Sequence, residues 1–130
     1  MSLRLLDTHL LLWTVSDDPR LPAEVRRVVA DPSQPLAFSV ASIWEIAIKS
    51  SLRKPSFGVD PARVRRLLLA AELREFTVTA EHAIAVRDLP PLHGDPFDRM
   101  LIAQARVEGA TLLTVDATML RYGPPAVAPG

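Results

Sequence analysis

Short apolar runs alternate with segments of helical periodicity along the whole chain. The runs predicted as strands are 3–6, 36–38, 75–78 and 111–115, with a short edge strand expected at 126–128. The predicted helices are 8–15, 22–30, 40–52, 62–73, 80–86, 96–108 and 117–122. This alternation predicts an α/β fold of three layers, α/β/α, with a mainly parallel central sheet of four to five strands.

The composition limits the size and class of the protein. With 130 residues, of which 48% are hydrophobic, residues 1–130 are expected to form a single domain. The formal net charge is zero, so a nucleic-acid partner would have to be held by a local basic patch. Cysteine is absent from the sequence, which excludes disulfides and thiolate metal sites. Asp7 and His9 interrupt the apolar start, so we predict a cytoplasmic protein without a membrane association.

The stretch HGDPFDRMLIAQA, residues 93–105, carries two aspartates at the start of a predicted helix. Asp95 precedes Pro96, and proline is favoured at the first helical position, so Asp95 is predicted to be the N-cap. Asp98 shares a face with the apolar positions that follow it. A carboxylate on an apolar face needs a cation, a hydrogen-bond network or a metal ion to compensate it.

Three more acids are predicted to lie at the same edge of the sheet as Asp98. Asp7 and Asp116 end strands, and Glu45 lies on the first turns of the helix that follows another strand. Functional crevices of parallel sheets lie outside the carboxyl ends of the strands. Clustered carboxylates repel one another unless a cation enters, and such oxygen ligands suit Mg²⁺ or Mn²⁺. Ions of this kind can activate water and orient a phosphodiester, which indicates nuclease chemistry.

Each acid also has an interpretation that needs no metal. Asp7 and Asp116 could cap the helices that follow them. Glu45 stands four residues before Lys49, as in an intrahelical ion pair, and three after Ser42, as in a capping box. The metal site is favoured because all four acids are predicted at one edge.

Four segments together resemble the PIN-domain family, specifically the toxin ribonucleases of VapBC toxin–antitoxin pairs. The segments are LLDTHLLLW (5–13), SVASIWEIAIK (39–49), HGDPFDRMLIAQA (93–105) and TLLTVDATM (111–119), and in order they span nearly the whole chain. The resemblance implies a PIN domain over residues 1–130 and an Mg²⁺- or Mn²⁺-dependent ribonuclease. The matched acids are Asp7, Glu45, Asp98 and Asp116, with Asp95 an additional acid of this subgroup and Thr8 a supporting hydroxyl residue.

The same resemblance implies partners and products. It implies an RNA substrate, a VapB-like antitoxin, a homodimer, and cleavage that leaves a 5′ phosphate and a 3′ hydroxyl. Trp13 and Trp44 lie within apolar runs and are expected in the core or at a dimer contact. His93 is expected to form hydrogen bonds within its loop.

Basic residues near the predicted site are candidates for contacts with RNA phosphates. Lys49 and Arg53 are predicted to share a helix face because they are four residues apart, and Lys54 follows them. Arg99, beside Asp98, could support the site by touching phosphate or by pairing with an acid.

Two other function classes are considered. A non-catalytic PIN-like module that binds RNA or protein would keep the fold but is expected to lack some of the acids, which are present here. A phospho-receiver would need adjacent acids after its first strand and a lysine after its last. A haloacid-dehalogenase-type phosphatase would need an aspartate where His9 stands. The non-catalytic module and the phospho-receiver or phosphatase class are ranked below the nuclease.

Overall fold

The computed structural model describes residues 3–130 apart from the side chain of Ser56. A five-stranded sheet, with all strands parallel, forms its centre. The strands are β1 (Arg4–Leu6), β2 (Leu36–Ser39), β3 (Arg74–Phe76), β4 (Thr111–Leu113) and β5 (Ala126–Val127). Their order across the sheet is β3-β2-β1-β4-β5. This architecture confirms the predicted α/β fold with its parallel sheet, and the expected edge strand is β5.

Helices connect the strands and cover both faces of the sheet. They are α1 (Thr8–Val15), α2 (Ala23–Val29), α3 (Val40–Ser51), α4 (Pro61–Ala70), α5 (Ala80–Ala85), α6 (Pro96–Glu108) and α7 (Ala117–Leu120). Two short 3₁₀ turns, Pro55–Phe57 and Val86–Asp88, lie in the longer connections. Within residues 3–130, each helix is too short or too polar to cross a membrane.

The register of the central strands places three chain segments at one edge of the sheet. Leu5 of β1 pairs with Ala37 of β2 on one side and with Leu112 of β4 on the other. The Asp7 N–H then donates to the Leu113 carbonyl at 3.1 Å, so β1 and β4 end together. Because β2 leads directly into α3, the starts of α1 and α3 and the end of β4 all lie at this carboxyl edge.

Alternating side chains of the strands pack into two apolar cores, one on each side of the sheet. Leu6 and Phe38 pack with residues of α1, α2 and α4 in one core. Leu5 and Ala37 pack with residues of α6 and α7 in the other. Since neighbouring strand residues point to opposite faces, this division is what a period of two produces in a sheet buried on both sides.

Two local interpretations of the sequence are wrong. Helix α3 is capped by Ser39, whose hydroxyl accepts from the Ala41 N–H at 2.9 Å, so Ser42 lies inside the helix and forms no capping box with Glu45. Helix α3 ends at Ser51, and Arg53 has a left-handed φ of 57°, so Arg53 does not share a helix face with Lys49.

Of the two locations expected for the tryptophans, the core or a dimer contact, the structure excludes the core for Trp44. Trp44 is 61% exposed and is therefore not a core residue, whereas Trp13 packs partly buried against the core as predicted.

Candidate metal centre

Asp7 caps α1 and is at the same time a buried acid of the carboxyl edge. Its side chain accepts from the Leu10 N–H at 2.9 Å and from the Thr114 hydroxyl, and the residue is 3% exposed. Burial raises the pKa of Asp7, although the hydrogen bonds from Thr114 and Leu10 act in the opposite direction. The cap predicted from the sequence is confirmed, and both oxygens of this buried carboxylate accept hydrogen bonds at the edge.

Thr114 connects Asp7 to Asp116. Its hydroxyl donates to Asp7 and accepts from the Asp116 N–H at 3.0 Å. Asp116 caps α7 by accepting from the N–H groups of Thr118 and Met119, at 2.8 and 3.0 Å. The role of Thr114 was not predicted from the sequence, although a hydroxyl residue two positions before a strand-end aspartate is a signal that indicates it.

Glu45 is held by two partners on the other side of the edge. The Thr8 hydroxyl donates to Glu45 Oε1 at 2.8 Å and also lies 2.9 Å from the Ser42 hydroxyl. Lys49 Nζ donates to Glu45 Oε2 at 2.5 Å, which confirms the intrahelical ion pair. Glu45 is only 2% exposed, so these contacts compensate a carboxylate that water barely reaches.

Asp98 is placed by the start of α6. Asp95 accepts from the N–H groups of Phe97 and Asp98, at 2.8 and 3.0 Å, and is the predicted N-cap. Burial raises the pKa of Asp98 to about 7, and the charges of Asp95 and Glu45 act in the same direction, against a hydrogen bond from His93. Its ionised form is therefore costly in the absence of a cation.

His93 completes a cluster with two of the acids. His93 Nε2 lies 2.7 Å from Asp98 Oδ2. One ring nitrogen of His93 and one carboxylate oxygen from each of Asp98 and Asp116 all lie within 4.8 Å of one another. The His93 ring forms its hydrogen bond with Asp98 of α6 and not within its own loop as expected, and the position of the ring beside two acids was not foreseen.

Two of the four acids, Asp98 and Asp116, have carboxylate oxygens within 4.8 Å of each other, and Asp7 and Glu45 lie at the same edge outside that group. Thr114 links Asp7 to Asp116, and Asp116 lies next to Asp98. The charge of Glu45 in turn affects Asp98. Two buried and two partly exposed carboxylates that repel one another form a donor set that suits a hard divalent cation with oxygen ligands, such as Mg²⁺ or Mn²⁺.

The predicted basic residues take different places. Lys49 pairs with Glu45, and its Nζ lies 4.8 Å from the centre of the Phe57 ring. Burial opposes the charged form of Lys49, but the hydrogen bond and charge of Glu45 outweigh it and raise the pKa of Lys49. Arg53 and Lys54 are exposed just after the C-terminal end of α3.

Arg99 holds a loop and pairs with no acid. Its guanidinium donates to the carbonyls of Pro90 (3.0 Å) and Val86 (3.1 Å) and to the Tyr122 hydroxyl (3.0 Å). It also lies 3.5 Å from the His93 carbonyl. The predicted ion pair of Arg99 with an acid is therefore wrong, and its contacts instead fix the segment that presents His93.

An apolar groove of about 600 Å³ lies next to the acids. Trp44, Val78, Phe97 and Met100 are among its lining residues. The Trp44 and Phe97 rings meet edge to face, with their centroids 5.0 Å apart. Since these two residues immediately precede Glu45 and Asp98 in the sequence, the groove and the acidic edge are adjacent surfaces.

Comparison with solved structures shows the same fold in toxin–antitoxin complexes. The chain is similar to one in VapBC2 from Rickettsia felis bound to a promoter DNA fragment, with 16% identity, coverage of 97% and 96% of the two chains, and a TM-score of 0.69. It is also similar to a chain of DNA-bound VapBC from Salmonella typhimurium, with 17% identity, coverage of 98% and 97%, and a TM-score of 0.67. A toxin–antitoxin complex from Klebsiella pneumoniae gives 18% identity, coverage of 98% and 98%, and a TM-score of 0.65.

Sequence comparison identifies the family. A comparison with curated protein sequences found no match. The family model for the PIN domain, however, matches residues 4–123. This match includes all five acids discussed above and every strand except β5. The chain belongs to the PIN-domain family.

Proposed function

We propose that the chain is a single PIN domain over residues 1–130 and acts as a metal-dependent endoribonuclease, the toxin of a toxin–antitoxin pair. The observation that carries this proposal is the convergence of Asp7, Glu45, Asp98 and Asp116 at the carboxyl edge of the sheet. These four acids would hold Mg²⁺ or Mn²⁺, directly or through water. A non-catalytic module would have no need for such mutually repelling carboxylates.

The chain's own residues prepare the site for the reaction. Thr114 and the Leu10 N–H fix Asp7, while Thr8 and Lys49 fix Glu45, so these carboxylates are oriented before a cation enters. When bound, the metal supplies activation of water and stabilisation of charge on a phosphodiester.

Three basic side chains have distinct roles in this proposal. Lys49 lowers the net negative charge that an approaching RNA phosphate meets. The exposed Arg53 and Lys54 contact neighbouring phosphates of the RNA. Because the net charge of the chain is zero, these local contacts are what attract the substrate to this edge.

A protein partner follows from the same proposal. The similar solved structures named above are toxin–antitoxin complexes, which supports a VapB-like antitoxin for this chain. We expect the antitoxin to restrain the nuclease by covering the acidic edge. Both proteins would act in the cytoplasm, where the RNA substrate is found.

A homodimer is the proposed assembly, and Trp44 supports it. Trp44 is 61% exposed and lines the apolar groove, where burial by a second copy would remove a large aromatic surface from water. Trp44→Glu is expected to convert a dimer, of twice the 14.3 kDa chain mass, into a monomer in sedimentation experiments. Leu52→Glu is the control, because Leu52 is 63% exposed but does not line the groove. A Trp44→Glu protein that stays dimeric would contradict this assignment of the dimer surface.

The chemistry of the RNA ends tests the proposed reaction. The purified chain is incubated with a mixed RNA pool in Mg²⁺, in Mn²⁺ and in EDTA, and the new ends are identified by their enzymatic reactivity. We expect 5′ phosphates and 3′ hydroxyls, formed only with metal, because a metal held by these acids would activate water to attack phosphorus, with the 3′ oxygen as the leaving group. Products with 2′,3′-cyclic phosphates, formed equally well in EDTA, would instead indicate attack by the ribose hydroxyl and would refute the proposal.

A further inference from the structure

We propose that His93 is itself a ligand of the metal, so that the site is a mixed nitrogen–oxygen site that favours Mn²⁺ over Mg²⁺. This inference rests on the proposed metal-dependent function, but it concerns a residue outside the four acids. It starts from the cluster in which a His93 nitrogen and oxygens of Asp98 and Asp116 lie within 4.8 Å of one another.

The spacing of these atoms is close to that of ligands around one ion. With metal–ligand bonds of about 2.1 Å, neighbouring ligands of an octahedral ion lie about 3 Å apart and opposite ligands about 4.2 Å apart. His93 Nε2 and Asp98 Oδ2 are 2.7 Å apart, near the spacing of neighbouring ligands. The outer limit of 4.8 Å for the whole cluster exceeds the spacing of opposite ligands, about 4.2 Å, by about 0.6 Å.

The position of His93 is fixed by the surrounding chain. The Arg99 guanidinium donates to the Pro90 carbonyl at 3.0 Å and lies 3.5 Å from that of His93 itself. The imidazole is 20% exposed and faces the acid at the start of α6. A ring presented by an anchored loop loses little freedom when it binds a metal, which favours its use as a ligand.

The other two histidines have different surroundings. His82 Nε2 forms a hydrogen bond with the Glu108 carboxylate at 3.0 Å, and His82 Nδ1 accepts from the Thr79 N–H at 3.1 Å. Both ring nitrogens therefore already have partners. The exposed His9 packs its ring edge-on against Phe57. Of the three histidines, His93 is the one whose nitrogen lies among carboxylate oxygens.

A nitrogen ligand changes which metal the site prefers. Mg²⁺ takes oxygen ligands and keeps several of its waters, whereas imidazole suits transition ions. Replacing the His93 nitrogen by another group therefore weakens binding of Mn²⁺ more than binding of Mg²⁺. If the ligands were all oxygens, replacing His93 would change the affinities for Mn²⁺ and Mg²⁺ by the same factor.

Pulsed EPR of the purified chain loaded with Mn²⁺ alone tests this proposal without reference to activity. We expect the electron spin-echo spectrum of the wild type to show coupling to a directly bound imidazole nitrogen, and the spectrum of His93→Asn to lack it. His9→Asn is the matched control and keeps the coupling. Titration should show Mn²⁺ binding weakened about tenfold or more by His93→Asn, and Mg²⁺ binding weakened by less than about threefold.

The possible failures can be told apart. Mn²⁺ that binds to the wild type without nitrogen coupling would overturn the role of His93 while leaving the acidic metal site intact, even if His93→Asn did not fold. An equal loss of Mg²⁺ and Mn²⁺ affinity in His93→Asn would overturn the predicted metal preference. Mn²⁺ binding that Asp98→Asn leaves unchanged would refute the metal centre and, with it, the proposed function.

Discussion

Asp98→Asn is expected to reduce the rate of metal-dependent RNA cleavage by about a thousandfold or more while the protein stays folded. Loss of one charged ligand removes several kcal/mol of transition-state stabilisation, and each 1.4 kcal/mol is about a factor of ten in rate. The substitution keeps the size of the side chain, and the Asp95 cap of α6 does not depend on it. Cleavage rates on one RNA, with circular dichroism to check folding, measure the effect.

Asp60→Asn is the matched control for this prediction. Asp60 is also an aspartate at a helix start, where it accepts from the Ala62 N–H at 3.0 Å, but it is exposed and lies outside the acidic cluster. Its replacement should leave the cleavage rate within about twofold of the wild type, given how little exposed sites usually contribute. If Asp98→Asn cleaved RNA as fast as Asp60→Asn, Asp98 would have no part in the reaction.

The same substitution is expected to stabilise the metal-free protein. In EDTA at pH 8, Asp98→Asn should raise the melting temperature by about 4 °C or more, since 1 kcal/mol corresponds to about 4 °C for a domain of this size. The physical reason is that burial, together with the charges of Asp95 and Glu45, raises the pKa of Asp98 to about 7. Ionised Asp98 therefore opposes folding, and uncharged asparagine does not.

The stabilisation of the metal-free protein by Asp98→Asn should depend on pH. Asp98 is ionised above pH 4 in the unfolded chain but only above about pH 7 in the folded one, so its cost is fully present above pH 7. This cost decreases as the pH falls from 7 towards 4, because the folded protein takes up the proton first. The difference in melting temperature between Asp98→Asn and the wild type should accordingly shrink between pH 8 and pH 5. A difference that grew as the pH fell would contradict the raised pKa.

With divalent ions present, the wild type should have a higher melting temperature than Asp98→Asn, which reverses the order expected in EDTA. Mg²⁺ or Mn²⁺ at a hundred times its dissociation constant stabilises the folded wild type by about 2.7 kcal/mol, because it binds only that state. Asp98→Asn lacks one of the four proposed ligands and should show little change in melting temperature with metal. An equal rise in both proteins would indicate that the ion binds elsewhere on the chain.

The fold could be predicted from the sequence because its signals are local. The short apolar runs mark the strands, and Ser39, Asp95 and Asp116 each cap the helix that follows them. Since parallel strands end at one edge, acids that follow such strands or begin the adjoining helices must approach one another. The grouping of Asp7 and Asp116 therefore follows from topology alone.

The parts of the site that were missed depend on contacts between distant segments. Thr114 binds the carboxylate of Asp7, 107 positions earlier in the chain, and no local pattern indicates that pairing. Arg99 stands beside Asp98 in the sequence, yet its side chain reaches the carbonyls of a loop instead of a carboxylate. A side chain's direction at the start of a helix is decided by the loops packed around it, which periodicity does not describe.

Trp44 shows a different limit of sequence reasoning. It lies in an apolar run and was expected in the core or at a dimer contact, but the buried side of α3 is taken by Ile46 and by the site residue Glu45. One face of the helix cannot hold every apolar residue of the run. The exposure of Trp44 leaves the dimer contact as the surviving interpretation.

The most direct test measures cleavage and metal binding on the same samples. The rate of cleavage of one RNA is followed as the free Mn²⁺ concentration is raised, while bound Mn²⁺ is counted by the loss of the free-ion EPR signal. Because Asp7, Glu45, Asp98 and Asp116 are proposed to act through the ion, the rate should rise in proportion to the bound Mn²⁺ and be absent in EDTA. Cleavage that proceeds at full rate in EDTA, or that is unchanged as the site fills, would contradict a metal-dependent nuclease.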